Sequence, residues 1–225
     1  MERERVKDTS YELLTIFVDG GFMMYPLVLC SLSALGVILA KGWTLHVAHK
    51  ESQDLINDIE SLGIAGDLEK AIERAHETRG PVAAILLTGL KRLRERQRGS
   101  DIEKAIKTTG MLELDFLERG LVVLATIANV APMLGFLGTV IGMIAAFDAI
   151  EAAGQVEPTL VASGIKIALI TTAAGLTIAI PVNIAYNYFV TRIDALIADM
   201  EQGTQAVLEM IWRAQDSESA GGTSW

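Results

Sequence analysis

Thr139, Thr171 and Thr172 are hydroxyls set in long apolar runs, and Lys166 is the one ionisable side chain well inside such a run. A threonine surrounded by hydrocarbon either bonds back to its own helix carbonyl or offers its oxygen to an ion, a water or an acid brought from elsewhere. Around these threonines lie small residues at helical spacing. Gly135, Gly138, Gly142 and Ala146 share one face, and Gly138-x-x-x-Gly142 is a small-xxx-small motif that lets helix backbones approach closely. Ala168, Thr172, Gly175 and Ala179 form a matching stripe with Thr171 adjacent, and Thr139 lies beside the first stripe. Glycine, alanine and threonine are also what plain helix packing uses, so packing and an ion path both remain open for Thr139 and Thr172. Lys166 lies roughly two turns from the outer end of its run, close enough to snorkel. Snorkelling or a structural ion pair is the preferred reading, and the outer mouth of an ion path is the sharper one. The apolar runs contain no carboxylate. An ion path needs an acid that binds and releases the ion, so a path here implies a partner that supplies it.

Three runs position these residues. Phe22 to Ala40, Leu121 to Phe147 and Ile165 to Val190 are each long enough to cross a hydrocarbon core of about 30 Å, and the last two carry Pro132 and Pro181. The first leads into Lys41-Gly42-Trp43 rather than a small-residue cleavage site, which reads as a retained span. Of 19 Lys/Arg, 13 lie between Lys41 and Arg119 and none between Asp148 and Ser163, so the former segment is expected inside and the latter outside. The expected organisation is a periplasmic amphipathic segment (1–20), a first span (21–45), a cytoplasmic helical region (46–118), a second span (119–147), a short periplasmic loop (148–163), a third span (164–191), and a cytoplasmic helix with a disordered tail (192–225). The N-terminus is then periplasmic and the C-terminus cytoplasmic.

The fold class is all-α. In the inside segment, Leu55, Ile59, Leu62, Leu68 and Ile72 recur at three and four residues, with a turn at Gly63 and Gly66. Gly80-Pro81 opens a helix expected over Val82 to Arg98. Gly99-Ser100-Asp101 reads as a break and N-cap, after which one helix is expected to run unbroken into the second span. Two such helices would project about 30 Å beyond the membrane. The basic run Lys91 to Arg98 is either a solvated helix face or a contact for anionic headgroups of membrane lipids. A net charge of −9 argues against nucleic acid, and lone Cys30 with three scattered histidines forms no metal constellation. No nucleophile–base or metal cluster that an enzyme would need stands at workable spacing.

Ala131-Pro132-Met133-Leu134-Gly135-Phe136-Leu137-Gly138-Thr139-Val140-Ile141-Gly142-Met143 resembles the second span of the MotA/TolQ/ExbB proton channel family. Gly164 through Leu176, followed by Ala179-Ile180-Pro181 and Tyr186-Asn187, resembles the third, and Gly20-Gly21-Phe22-Met23-Met24-Tyr25-Pro26 is similar to the start of the first. Three spans fit the ExbB/TolQ branch. The resemblance implies a homopentamer in the bacterial inner membrane around two copies of a single-span ExbD/TolR-like protein, often working with a TonB-like protein. It also implies that the partner's aspartate faces Thr139 and Thr172 and that H⁺ or Na⁺ is moved without a cofactor. Where many such chains carry a glutamate, Ile167 stands here, which removes one candidate proton-relay group. The leading expectation is an ion-driven motor stator that energises outer-membrane transport or envelope processes. The alternative is a helical membrane scaffold that conducts nothing itself.

Overall fold

The computed structural model describes residues 15–221, with the side chains of 46–51, 160 and 213–221 excepted. Most of the expected N-terminal segment and the last four residues therefore lie outside the described residues. A helical turn over 15–19 leads through Gly20 into a 3₁₀ turn, Gly21–Met23. Six α-helices follow: α1 Met24–Ala65, α2 Leu68–Glu77, α3 Pro81–Arg94, α4 Gly99–Glu118, α5 Leu121–Ala153 and α6 Pro158–Gly221. Among the described residues there is no strand. Three helical stretches, Gly21–Leu45, Gly99–Ala153 and Val161–Trp212, are long and apolar enough to cross a membrane.

The chain divides into two compact units. One comprises Gly120–Asn187 with the chain up to Leu39. Its helices α5 and α6 run antiparallel, joined by only Gly154 to Glu157. The sequence reading places a loop over 148–163. Instead Asp148 and Glu151 continue α5, Gly154 stops it with φ +69° and N–H bonds to the Ile150 and Glu151 carbonyls, and Pro158 starts α6. A glycine past the end of one helix and a proline opening the next are the ordinary stop and start signals. The outer surface of this unit is apolar, with Phe22, Leu29, Leu32, Met133, Phe136, Phe147, Leu169 and Ile184 all exposed. An apolar surface this extensive needs lipid or other chains to cover it.

The other unit comprises Ala40–Arg119 with the chain from Tyr188. Its core joins Leu55, Ile56 and Ile59 of α1, Ala71 and Ile72 of α2, Ile85, Leu86 and Leu90 of α3, Ile102 and Ile106 of α4, and Met200 and Val207 of α6. Full burial of each large aliphatic side chain contributes about 1.5–3 kcal/mol. Gly89 lets α3 close in, because a Cβ there would meet Ile106 Cδ1 at 2.7 Å and Val207 at 2.9 Å. Beside this core, the exposed Gln53 donates to the buried Asp199 carboxylate. Lys41 Nζ donates to the Leu117 and Phe116 carbonyls at 2.8 and 3.3 Å, taking up acceptors left open where α4 ends.

Local chemistry sets the remaining boundaries. The turn expected at Gly63 and Gly66 forms at Gly66 alone, with φ +74°. Asp67 then caps α2, accepting from the Lys70 backbone N–H, and pairs with Lys70 Nζ at 2.6 Å. The Lys70 side chain and then its N–H hold the Asp67 carboxyl below its ordinary range. The third helix ends at Arg94 rather than Arg98, because Arg96 turns into the left-handed region with φ +55°. Its successor starts at Gly99 with Arg98 as an extended N-cap and no side-chain cap. The helix expected to run unbroken from Asp101 through the second span is interrupted at Gly120, with φ +88°. That glycine is the overlooked breaker, since an L side chain rarely adopts such a conformation. The tail expected to be disordered from Asp216 continues as helix to Gly221.

Candidate functional site

The α5–α6 contact is built from residues with almost no side chain. A Cβ on Gly135 would stand 2.9 Å from the Thr171 carbonyl oxygen, and one on Gly175 would stand 2.6 Å from the Ala131 oxygen. One on Gly142 would stand 2.8 Å from the Gly164 oxygen, and one on Gly138 would overlap the Thr171 side chain. Gly135, Gly138, Gly142 and Ala146 of α5 are buried, as are Gly164, Ala168, Thr171, Gly175 and Ala179 of α6. The buried hydroxyl in the α6 stripe is thus Thr171, not Thr172. Thr171 is 0% exposed, and its Oγ1 donates to its own helix at Ala168 O (2.9 Å) and Ile167 O (3.1 Å).

Thr139 and Thr172 occupy a different position. Each follows a contact residue by one, Thr139 after Gly138 and Thr172 after Thr171, and each is partly exposed. On two antiparallel helices, the same single step from the contact line turns both side chains toward the same edge of the pair. Thr172 Oγ1 donates across the contact to the Gly135 carbonyl at 3.2 Å, and Thr139 Oγ1 donates to Phe136 O at 2.6 Å. The two acceptor carbonyls belong to consecutive residues, Gly135 and Phe136, about 1.5 Å apart in height, so the two hydroxyls lie at nearly the same level. A threonine hydroxyl has one proton and two lone pairs. With the protons committed to carbonyls, what Thr139 and Thr172 offer is acceptor oxygen. Such a pair suits a bare cation or the O–H of a protonated carboxyl.

Pro132 lies on the same edge, within about 20° of Thr139 around α5, and its missing N–H withdraws the usual partner of the Ala128 carbonyl. Pro181 is exposed on another side of α6.

Lys166 is about 120° around α6 from Thr172. Its Nζ pairs with Asp19 Oδ2 at 2.6 Å, with side chains 59% and 30% exposed. Ile170, one turn on, meets the N-terminal elbow, where a Cβ on Gly20 would stand 3.1 Å away. The structure therefore brings Thr139 and Thr172 together, encloses Thr171 between helices, and sets Lys166 in an ion pair on a different face. The sequence reading missed Asp19. Its only signal is a carboxylate just before Gly20-Gly21, at a sequence distance no periodicity links to Lys166. Among the described residues, no group of three His, Cys, Asp or Glu could hold a metal.

Residues 77–202 match the MotA/TolQ/ExbB proton channel family. The chain is 34% identical over 205 residues to the ExbB-like 1 biopolymer transport protein of Synechocystis sp., covering 89% of its own length and 79% of the relative's. It is 35% identical over 194 residues to the ExbB homologue of Methanothermobacter thermautotrophicus, covering 84% and 67%. With the Tol-Pal system protein TolQ of Pseudomonas aeruginosa it shares 34% identity over 188 residues, covering 78% and 80%. That family is one of ion-channel subunits rather than enzymes, and the matched residues take in two of the three long apolar helices here. The chain belongs to the MotA/TolQ/ExbB proton channel family, as an ExbB/TolQ-type membrane transport subunit.

Proposed function

We propose that the chain is the stator subunit of an inner-membrane ion-driven motor that energises an outer-membrane or envelope process. The observation that carries this reading is the placement of Thr139 and Thr172 on one edge of a glycine-packed helix pair, presenting acceptor oxygens in spans without a carboxylate. The acid then comes from a single-span ExbD/TolR-like partner, and its protonated carboxyl, or Na⁺ beside its carboxylate, meets these oxygens. Five copies of the chain surround two of the partner, and a TonB-like protein receives the work in the uptake systems. Ala40–Arg119 and the end of α6 are cytoplasmic, the α5–α6 turn is periplasmic, and Lys166 flanks the outer mouth.

The complex isolated with its native partner and reconstituted in vesicles tests this, with flux measured under a proton gradient and, separately, a sodium gradient. Thr139→Val and Thr172→Val should each lower flux about tenfold or more, the worth of one hydrogen bond to a charged group, with the complex still assembled. Undiminished flux in both single variants and the double variant overturns the role. One observation favours the scaffold reading: all three hydroxyl protons already satisfy carbonyls. A scaffold tolerates the valines and retains no acid-bearing partner in native mass spectrometry, whereas the motor appears there as five copies with two of a small protein.

A further inference from the structure

The two packed spans carry three asparagines that the threonine path does not use. Asn183 and Asn187 are exposed on α6, and Asn187 Nδ2 donates to Asn183 Oδ1 at 3.3 Å. Asn129 is exposed on α5 and donates to Ala125 O at 2.8 Å. Eleven residues separate Thr172 from Asn183, so at about 100° per residue they point within roughly 20° of one another, and Asn187 about 40° further round. Asn129 lies about 80° round α5 from Thr139. Asn183 and Asn187 therefore share the edge that presents Thr139 and Thr172, whereas Asn129 lies within about 60° of Thr126 on the outward side of α5. The N-terminal elbow packs on a different side of α6, at Ile170.

An amide has two donors and two acceptor sites, more than a helix neighbour can satisfy, and it is costly against lipid. Thr126 and Thr177, on the other faces of α5 and α6, behave differently. Each returns its single proton to its own helix, at Val122 O and Ala173 O, 2.7 Å away. Thr139 on the edge also returns its proton to its own helix, so what sets the edge apart is the amide pair at Asn183 and Asn187. Between the threonine level and the asparagine level that edge is apolar, formed by the exposed Leu176 and Ile180.

We propose that Asn183, held by Asn187, is the inner polar station of the ion path, about 16 Å along α6 from Thr172. Its amide hydrates or ligates the cation after it passes the Leu176–Ile180 collar, which excludes water when no ion is in transit. This deepens the motor reading and rests on it, since it takes the shared edge as the path.

Two measurements on the complex with its native partner test it. In a Cys30→Ser background, Asn183→Cys should react with a membrane-impermeant thiol reagent added on the C-terminal side. The rate should exceed that of Ile184→Cys, one residue on and exposed on another face, by about tenfold or more, as a watered path requires. Asn183→Leu should lower flux about tenfold while Asn183→Ser keeps most of it, the difference being one bond to a charged group. Equal, slow labelling at both cysteines overturns the proposal. So does Asn183→Leu that conducts normally, or that releases the partner, which would make the amide a helix–helix contact. If Thr139→Val and Thr172→Val abolish flux while Asn183→Leu does not, only the inner station fails. If none of the three alters flux, the path itself fails.

Discussion

Adding one methyl group at Gly175 should separate the two central spans. The Cβ of an alanine there would stand 2.6 Å from the Ala131 carbonyl oxygen and 3.2 Å from Gly135 Cα, both backbone atoms that no rotamer change can move. Restoring an ordinary 3.4 Å contact requires α5 and α6 to part by about 0.8 Å at that level. The Thr172–Gly135 hydrogen bond, already 3.2 Å long, lies one turn away and breaks with such a shift. Overpacking costs about 1–3 kcal/mol. The lost interhelical bond adds about 0.6 kcal/mol, the mean measured for such bonds in membranes. Gly175→Ala should therefore destabilise by about 0.5–2.5 kcal/mol once the roughly 1 kcal/mol by which alanine is the better helix former is subtracted. The matched control is Gly36→Ala, where no atom lies within 4 Å of the new Cβ and the substitution should be neutral or slightly stabilising. Steric-trap unfolding of the assembled protein in bicelles would read the difference directly. If Gly175→Ala is as stable as Gly36→Ala, the close approach of α5 and α6 is not what holds this unit together.

The Lys166–Asp19 pair should be a modest tether. With side chains 59% and 30% exposed, it should contribute about 0.5–1 kcal/mol. Asp19→Asn and Lys166→Met should each lower thermal stability by that amount and the double variant by no more, so additive losses would contradict the pairing. Gly120→Ala should cost about 1–2 kcal/mol, because φ +88° forces a Cβ into the left-handed region. An unchanged melting temperature for that variant would mean that the break between α4 and α5 is not fixed by glycine.

Much of this organisation is legible in the sequence because it rests on local rules. Apolar length gives the three spans, Gly80-Pro81 gives the start of α3, and three-and-four spacing gives the core residues Leu55, Ile59 and Ile72. The misplaced boundaries came from residues whose effect is conformational rather than compositional. Gly120 sits where charged residues give way to the apolar run, a shift that reads as the edge of a span rather than as a break in the helix. Arg96 enters the left-handed region although arginine has no preference for it, with Arg92 donating to Gln97 across the turn at 2.8 Å. The short α5–α6 turn is hidden because Asp148 and Glu151 look like loop residues by charge, yet they continue a helix already nucleated by the span.

By itself the sequence determined that two glycine-patterned spans must pack closely, that hydroxyls interrupt them, and that the apolar runs hold no carboxylate. Spacing decides the first point, because side chains three and four residues apart share a helix face whatever surrounds them. It could not separate Thr171 from Thr172, since neighbours in sequence differ by only about 100° around a helix and either could complete the stripe. Only the tertiary structure decided that Thr171 fills the space over Gly138 while Thr172 reaches the edge shared with Thr139. It likewise decided that Lys166 is spoken for by Asp19, a pairing of groups 147 residues apart. Both outcomes depend on where one backbone lies against another, and that is set by packing across the whole unit rather than by any local pattern.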